Sequence, residues 1–291
     1  MHFADEIIEL CREKGSRLVV GLDPHWSLIP ESFKNKYSPD QRESLLFDYF
    51  SNVVDASIKA AVMFKPQSAF FEQFGQSGYR ALQRLIAHIH SSGGKVLMDA
   101  KRNDIGTTAS AYATTYFGSD TLPPVLPSDA LTVNGYLGSD GLLPFQKCLD
   151  RGIFVLVKTS NPSSGELQDL ILNDGRSVAE AVADKVQEMA LSTQGRSGYG
   201  NAGAVVGATY PDHMKALRRR LKNALLLVPG YGAQGGDDAA ITASFDGEGM
   251  GALINSSRGI CFPKDFEFNG FDAVRSAALH ARNHIQSLLP N

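Results

Sequence analysis

Long apolar runs are missing from this chain: nothing in its 291 residues approaches the roughly 20 consecutive apolar residues that cross a bilayer. The opening MHFADEIIEL places acids where a secretory leader needs a basic segment followed by an apolar one. Membrane insertion and export are therefore not expected, and a cytoplasmic location is. Cysteine is scarce: the three, Cys11, Cys148 and Cys261, stand far apart with no CxxC pair, which excludes a disulfide framework and a cysteine-rich zinc site. Histidine forms no HExxH element; His280 and His284 share a helical spacing but lack a third ligand, and they and His25 read as surface residues, so no metal is expected. Charge of one sign is not in excess either. With 28 basic against 31 acidic residues and a net charge of -3, no polyanion-binding surface, and hence no nucleic-acid partner, is indicated. The one tryptophan, Trp26, reads as loop packing.

What remains is an ordinary globular composition, 43% hydrophobic and 20% charged, at a length that one α/β barrel can fill. No internal repeat or interdomain linker divides residues 1–291, so a single domain is expected. Short β-branched runs recur at Arg17–Leu22, Ala61–Phe64, Lys95–Met98, Ala130–Val133, Ile153–Val157, Ala202–Val206, Leu225–Val228 and Gly251–Ile254. Between them, segments such as Gln41–Ala56, Tyr79–His90, Ser177–Leu191, Pro211–Leu221 and Phe271–Leu288 carry apolar residues three and four apart, which predicts helices. Continuous apolar runs mark strands buried on both faces, and strand-helix alternation calls for parallel crossovers. Eight alternations predict a (β/α)8 TIM barrel, although a doubly wound open sheet has the same rhythm. Pro24–Asp40 and Asn161–Arg176, the latter with Ser192–Asn201, break the rhythm and read as elaborated loops after strands 1 and 5 at the barrel rim.

The residues that end the strands are polar in turn: Asp23, Lys65, Asp99 with Lys101, Asn134, Thr159 with Ser160, Gln234 in the seventh loop, and Arg258 after the eighth strand. A single polar strand end is ordinary turn chemistry. A whole set of them, converging on the face where barrels place their chemistry, points to one pocket. Asp99 and Lys101 are two apart, so extended backbone points both the same way. With Asp104 and Lys65 they would form a charge network whose members hold one another ionised, without a metal or organic electron sink. A lone DxK pair would be only a structural ion pair. Lys158, also at a strand end, could form a Schiff base or could equally be turned away from the pocket.

VVGLDP, AVMFKP, MDAKRNDIGTT, KTSNPS, VPGYGAQGGD and NSSRGI, spread over residues 18 to 260, resemble in order the signature segments of the orotidine 5'-monophosphate decarboxylase family. The long loops resemble its longer bacterial branch, often called type 2. The resemblance implies conversion of orotidine 5'-monophosphate to uridine 5'-monophosphate and CO2, in pyrimidine biosynthesis and without a cofactor. It implies Lys101 as proton donor to C6 of the pyrimidine, and Asp99 beside the substrate carboxylate. Asp104, with Ile105 and Thr108, would cross into the site of a second subunit, which requires a homodimer. Asp23 and Lys65 would contact the ribose, Thr159 and Ser160 the pyrimidine edge, and Pro229 its face. Loops after strands seven and eight form the common phosphate site of barrels. There Gln234 and Arg258, the latter able to grip phosphate bidentately, are the expected contacts, with close backbone approach at Gly235. Either the PGYGAQGGD loop or the enlarged fifth loop could close over the substrate.

Three rival readings stand beside this one. A magnesium-dependent sugar-phosphate decarboxylase of the same superfamily shares the DxKxxD element, but Lys65 would put an ammonium where such relatives carry a metal-binding acid. A Schiff-base aldolase would use Lys158 or Lys101. A non-catalytic nucleotide-binding protein would keep the charged network for structure alone.

Overall fold

Strand formation follows the β-branched runs. The computed structural model describes residues 1–209, 211–231 and 237–290 and contains β1 (Leu18–Leu22), β2 (Ala61–Pro66), β3 (Leu97–Arg102), β4 (Ala130–Val133), β5 (Gly152–Lys158), β6 (Ala202–Val206), β7 (Leu226–Val228) and β8 (Ala252–Ser256). All are parallel and pair in the order β2-β1-β8-β7-β6-β5-β4-β3. Bridges from Phe64 to Val96 and from Gln67 to Asp99 join β2 to β3 and close the cylinder. The fold is the (β/α)8 barrel, not the open sheet. Its helices are α1 (Phe3–Glu13), α2 (Arg42–Ser57), α3 (Gly75–Ser91), α4 (Gly106–Phe117), α5 (Ser139–Gln146), α6 (Val178–Ser192), α7 (Pro211–Arg220), α8 (Asp238–Ser244) and α9 (Phe271–Ser287), with single-turn helices between some of them. Among the described residues, no helix is long and apolar enough to cross a membrane.

Alternation sends the two faces of each strand into different cores. Leu18, Val20, Leu131, Val155 and Ile254 pack outward against the helices, whereas Val19, Leu97, Ala130, Phe154, Leu227 and Leu253 fill the barrel. Both-sided burial is why the strands read as continuous apolar runs. The N-terminal mouth is closed by α1, whose Phe3, Ile7, Ile8 and Cys11 join the interior cluster. Phe3 meets Phe154 edge to face at 6.3 Å, and a side chain on Gly152 would overlap the Phe3 ring.

Some sequence expectations shift. The reading of the first residues against a secretory leader concerned charge alone and passed over the spacing of Phe3, Ile7 and Cys11, which is helical. Strand β3 continues past the apolar residues through Asp99–Arg102, so the charged motif is itself strand. The elaboration after β1 holds a 3-10 turn (Trp26–Leu28) and a short helix (Glu31–Lys34), with Trp26 packed 5.8 Å from Phe74. Ser192–Asn201 belongs to the opposite end of the barrel from the β5 elaboration: Asp5 of α1 accepts the N–H of Ser197 at 2.7 Å and of Arg196 at 3.1 Å.

Candidate active site

The C-terminal ends of β2 and β3 bring two of the predicted residues, Lys65 and Lys101, onto the carboxylate of a third, Asp99. Asp99 Oδ2 accepts from Lys65 Nζ at 2.7 Å, and Oδ1 from Lys101 Nζ at 2.6 Å. Thr132 of β4 completes the cradle: its hydroxyl donates to Asp99 Oδ1 at 2.9 Å while its oxygen accepts the Lys101 N–H at 3.0 Å. That bond reflects an irregular backbone. Lys101 has φ +49°, alone among described non-glycine residues, and the β3–β4 register jumps between Met98 and Arg102. Left-handed backbone at a non-glycine residue costs on the order of 1 kcal/mol and persists where the surroundings enforce it. The two side chains therefore meet through a bulge pinned by Thr132, not through the regular period-two strand.

Burial opposes ionisation of Asp99, but the Lys65 and then the Lys101 ammonium outweigh it and hold its carboxyl well below the usual range. Burial likewise works against the Lys65 ammonium, and Asp99 and then Asp23 reverse it, raising Lys65 above its ordinary value. Lys101 remains half exposed, open to the cleft.

Two clefts share Lys65, Asp99 and Pro229. One, of about 310 Å³, runs over Asp23, Asn255, Ser257 and Tyr231 to Arg258. Ser257 Oγ donates to Asp23 Oδ2 at 2.5 Å, whereas Asp23 Oδ1 and Asn255 Oδ1 are buried without a partner among the described residues. Arg258 is exposed and makes no ion pair among the described residues. The other cleft, of about 480 Å³, has an apolar floor of Leu156, Val205 and Leu227 beneath Lys101, Thr159, Ser160, Asn161 and Gln168.

Not every predicted residue arrives. Asp104 accepts only the N–H of Ile105, at 2.8 Å, and lines neither cleft; Ile105 and Thr108 are exposed at the start of α4. The expected extension of the network to Asp104 is thus not made within one chain. Asn134 is spent on its own loop, accepting the Tyr136 N–H at 3.0 Å. Lys158 is turned outward and pairs with Asp169 at 2.7 Å, which removes it from the pocket and from Schiff-base chemistry there. His25 lines the first cleft against Phe70, where the sequence suggested a surface residue. Gln234 and Gly235 lie outside the described residues. Thr132, Asn255 and Gln168 were not singled out from sequence. Alternation within ALTV and ALINS turns Thr132 and Asn255 inward and could have found them; Gln168 sits in a loop and has no such signal.

A family profile described as "Orotidine 5'-phosphate decarboxylase / HUMPS family" matches residues 16–267. The chain belongs to this family. An orotidine 5'-phosphate decarboxylase of Rhodopirellula baltica is 43% identical to it over 98% of this chain and 99% of the relative. That of Caldicellulosiruptor bescii is 38% identical over 99% and 98%. The solved structure of the Leishmania donovani OMP decarboxylase superposes with a TM-score of 0.80 at 34% identity, covering 99% of this chain and 98% of that one. These relatives are carboxy-lyases by name, and the chain is an enzyme of that class.

Proposed function

We propose that the chain converts orotidine 5'-monophosphate to uridine 5'-monophosphate and CO2, a step of de novo pyrimidine biosynthesis, with Lys101 as the proton donor. The observation that carries this is one buried carboxylate, Asp99, gripped by two ammoniums at 2.7 and 2.6 Å where two clefts join. In the reaction, the bond from C6 to the carboxylate breaks, its electron pair stays on C6, and a proton of Lys101 Nζ replaces the CO2. Fixed positive charge aimed at a centre that becomes negative only in the transition state is what raises rate. Asp99 holds that ammonium in place and stands beside the departing carboxylate, whose repulsion ends as CO2 leaves.

The remaining groups fit a nucleotide. The unpartnered buried Asp23 Oδ1, beside Lys65, calls for a hydroxyl donor such as ribose supplies. Arg258, with Gln234 and Gly235 of the neighbouring loop, takes the phosphate, and binding energy from that remote group positions the ring. The ring lies over Leu156, Val205 and Leu227 against Pro229, its edge toward Thr159 and Ser160. No cofactor enters this scheme, and an ammonium at Lys65 would repel the divalent ion that a sugar-phosphate decarboxylase needs.

Asp104 serves the site of a second subunit in a cytoplasmic homodimer with shared active sites. Support comes from its position outside its own clefts and from exposed large apolar side chains on α4 and on the β4–α5 segment, with Ile105 54%, Tyr136 77% and Leu143 51% exposed. Lys101→Ala tests the assignment. Uridine 5'-monophosphate binding should change little, while CO2 release falls by about 10⁴-fold or more, as expected when a proton donor and a fixed charge are lost together. Parallel loss of binding and turnover would refute a chemical role for Lys101.

A further inference from the structure

The loop between β5 and α6 is fastened on both sides of the barrel wall by two consecutive residues. On the outside, buried Lys158 donates to Asp169 Oδ1 at 2.7 Å and to Ser164 Oγ at 3.4 Å. On the inside, Gln168 lines the cleft and holds Thr159 twice: the Thr159 N–H donates to Gln168 Oε1 at 2.9 Å, and Gln168 Nε2 donates to Thr159 Oγ1 at 2.8 Å. A backbone N–H can only donate, so it fixes which end of the amide faces it. The single hydroxyl proton of Thr159 goes to Asn161 Oδ1 at 2.6 Å.

Thr159 therefore has no proton left for a ligand. The Ser160 hydroxyl makes no hydrogen bond among the described residues and lines the same cleft, and the Gln168 amide keeps one N–H and one lone pair. We infer that Gln168 is the positioning residue of the base-side cleft: it orders Thr159, and through it Ser160, so that Ser160 meets a planar imide edge. Such an edge alternates carbonyl, N–H and carbonyl, and a hydroxyl that can donate and accept matches it. This rests on the nucleotide reading above and assigns to an elaborated loop the discrimination between a substrate with a base and one without.

Isothermal titration of the full chain with uridine 5'-monophosphate and with ribose 5-phosphate separates the possibilities. Gln168→Ala should weaken the nucleotide roughly tenfold, the scale of one or two hydrogen bonds, and leave ribose 5-phosphate within about twofold. In turnover, KM should rise by the same factor while kcat changes less. Gln168→Glu keeps an acceptor for the Thr159 N–H but sets a carboxylate near the imide carbonyls; it should retain the wild-type melting temperature and weaken the nucleotide more than Ala does. Equal weakening of both ligands, or of neither, in a wild type that prefers the nucleotide would overturn this inference alone. A wild type that binds ribose 5-phosphate as tightly as the nucleotide would overturn the nucleotide reading and this inference with it.

Discussion

The two ends of the barrel bury charge to different ends. At the N-terminal mouth, Arg17 donates to Gly249 O at 2.9 Å, Arg218 donates to Gly251 O at 2.8 Å and Ala224 O at 3.0 Å, and Asp5 takes two backbone N–H groups. Every one of these charges is met by groups of the same chain, chiefly backbone, with Arg17 also donating to Gln286 Oε1 at 3.2 Å. His2 Nδ1 and Ser197 Oγ are left without a partner there among the described residues, but neither lines the clefts. At the C-terminal mouth, Asp99 is doubly paired, yet Asp23 Oδ1 and Asn255 Oδ1 are buried unpartnered beside the exposed Arg258. Buried polar atoms without partners are rare, so where they line a cleft the missing partner is a ligand. Hydrogen bonding that closes within the chain makes stability; hydrogen bonding left open makes a site.

Substitution at each end should separate the two uses. Lys65→Ala at the top breaks a buried pair, and kcat/KM should fall by about 10³-fold or more because a fixed positive charge leaves the reacting centre. Arg218→Ala at the bottom strips a donor from several carbonyls and should cost about 3 kcal/mol in denaturant unfolding, while kcat/KM of the folded protein stays within about threefold. An activity loss at Arg218 equal to that at Lys65 would erase the distinction. A second comparison concerns subunits. Mixing inactive Lys101→Ala and Asp104→Ala chains under exchange should restore roughly a quarter of wild-type activity, because half the dimers are mixed and each then has one intact site. No recovery would place both residues in one chain's site.

The smallest effect is an absence of change with pH. Asp99 is lowered, so its contribution to stability is full above its unfolded value of about 3.9 and lost only as pH falls through the lower folded value. Lys65 is raised, so its contribution is full below about 10.4 and lost only as pH rises through the higher folded value. Between about pH 5 and 9, then, the melting-temperature gap between wild type and Lys65→Ala should stay constant to about 1 °C. A gap that grows or shrinks across that window would contradict the assigned network.

Much of this was legible in the sequence because barrels put chemistry at strand ends: Asp23, Lys65, Asp99, Lys101 and Arg258 could be named from where apolar runs stop. The joining of Asp99 to Lys101 was foreseen, but its means was not, since no pattern announces a left-handed lysine held by a threonine on the next strand. Lys158 shows the limit of the rule: it too ends a strand, and the register shift between Leu156 and Lys158 accompanies its outward turn to Asp169. Gln168 lay beyond reach because its role depends on where a loop returns, which spacing does not encode.

The proposed decarboxylation by two lysines and an aspartate needs no metal. It is tested most directly by following loss of orotidine 5'-monophosphate absorbance with protein treated exhaustively with EDTA. Full turnover to uridine 5'-monophosphate, unchanged by added Mg²⁺, is expected. No turnover by well-folded protein, or turnover that returns only with Mg²⁺, would contradict it.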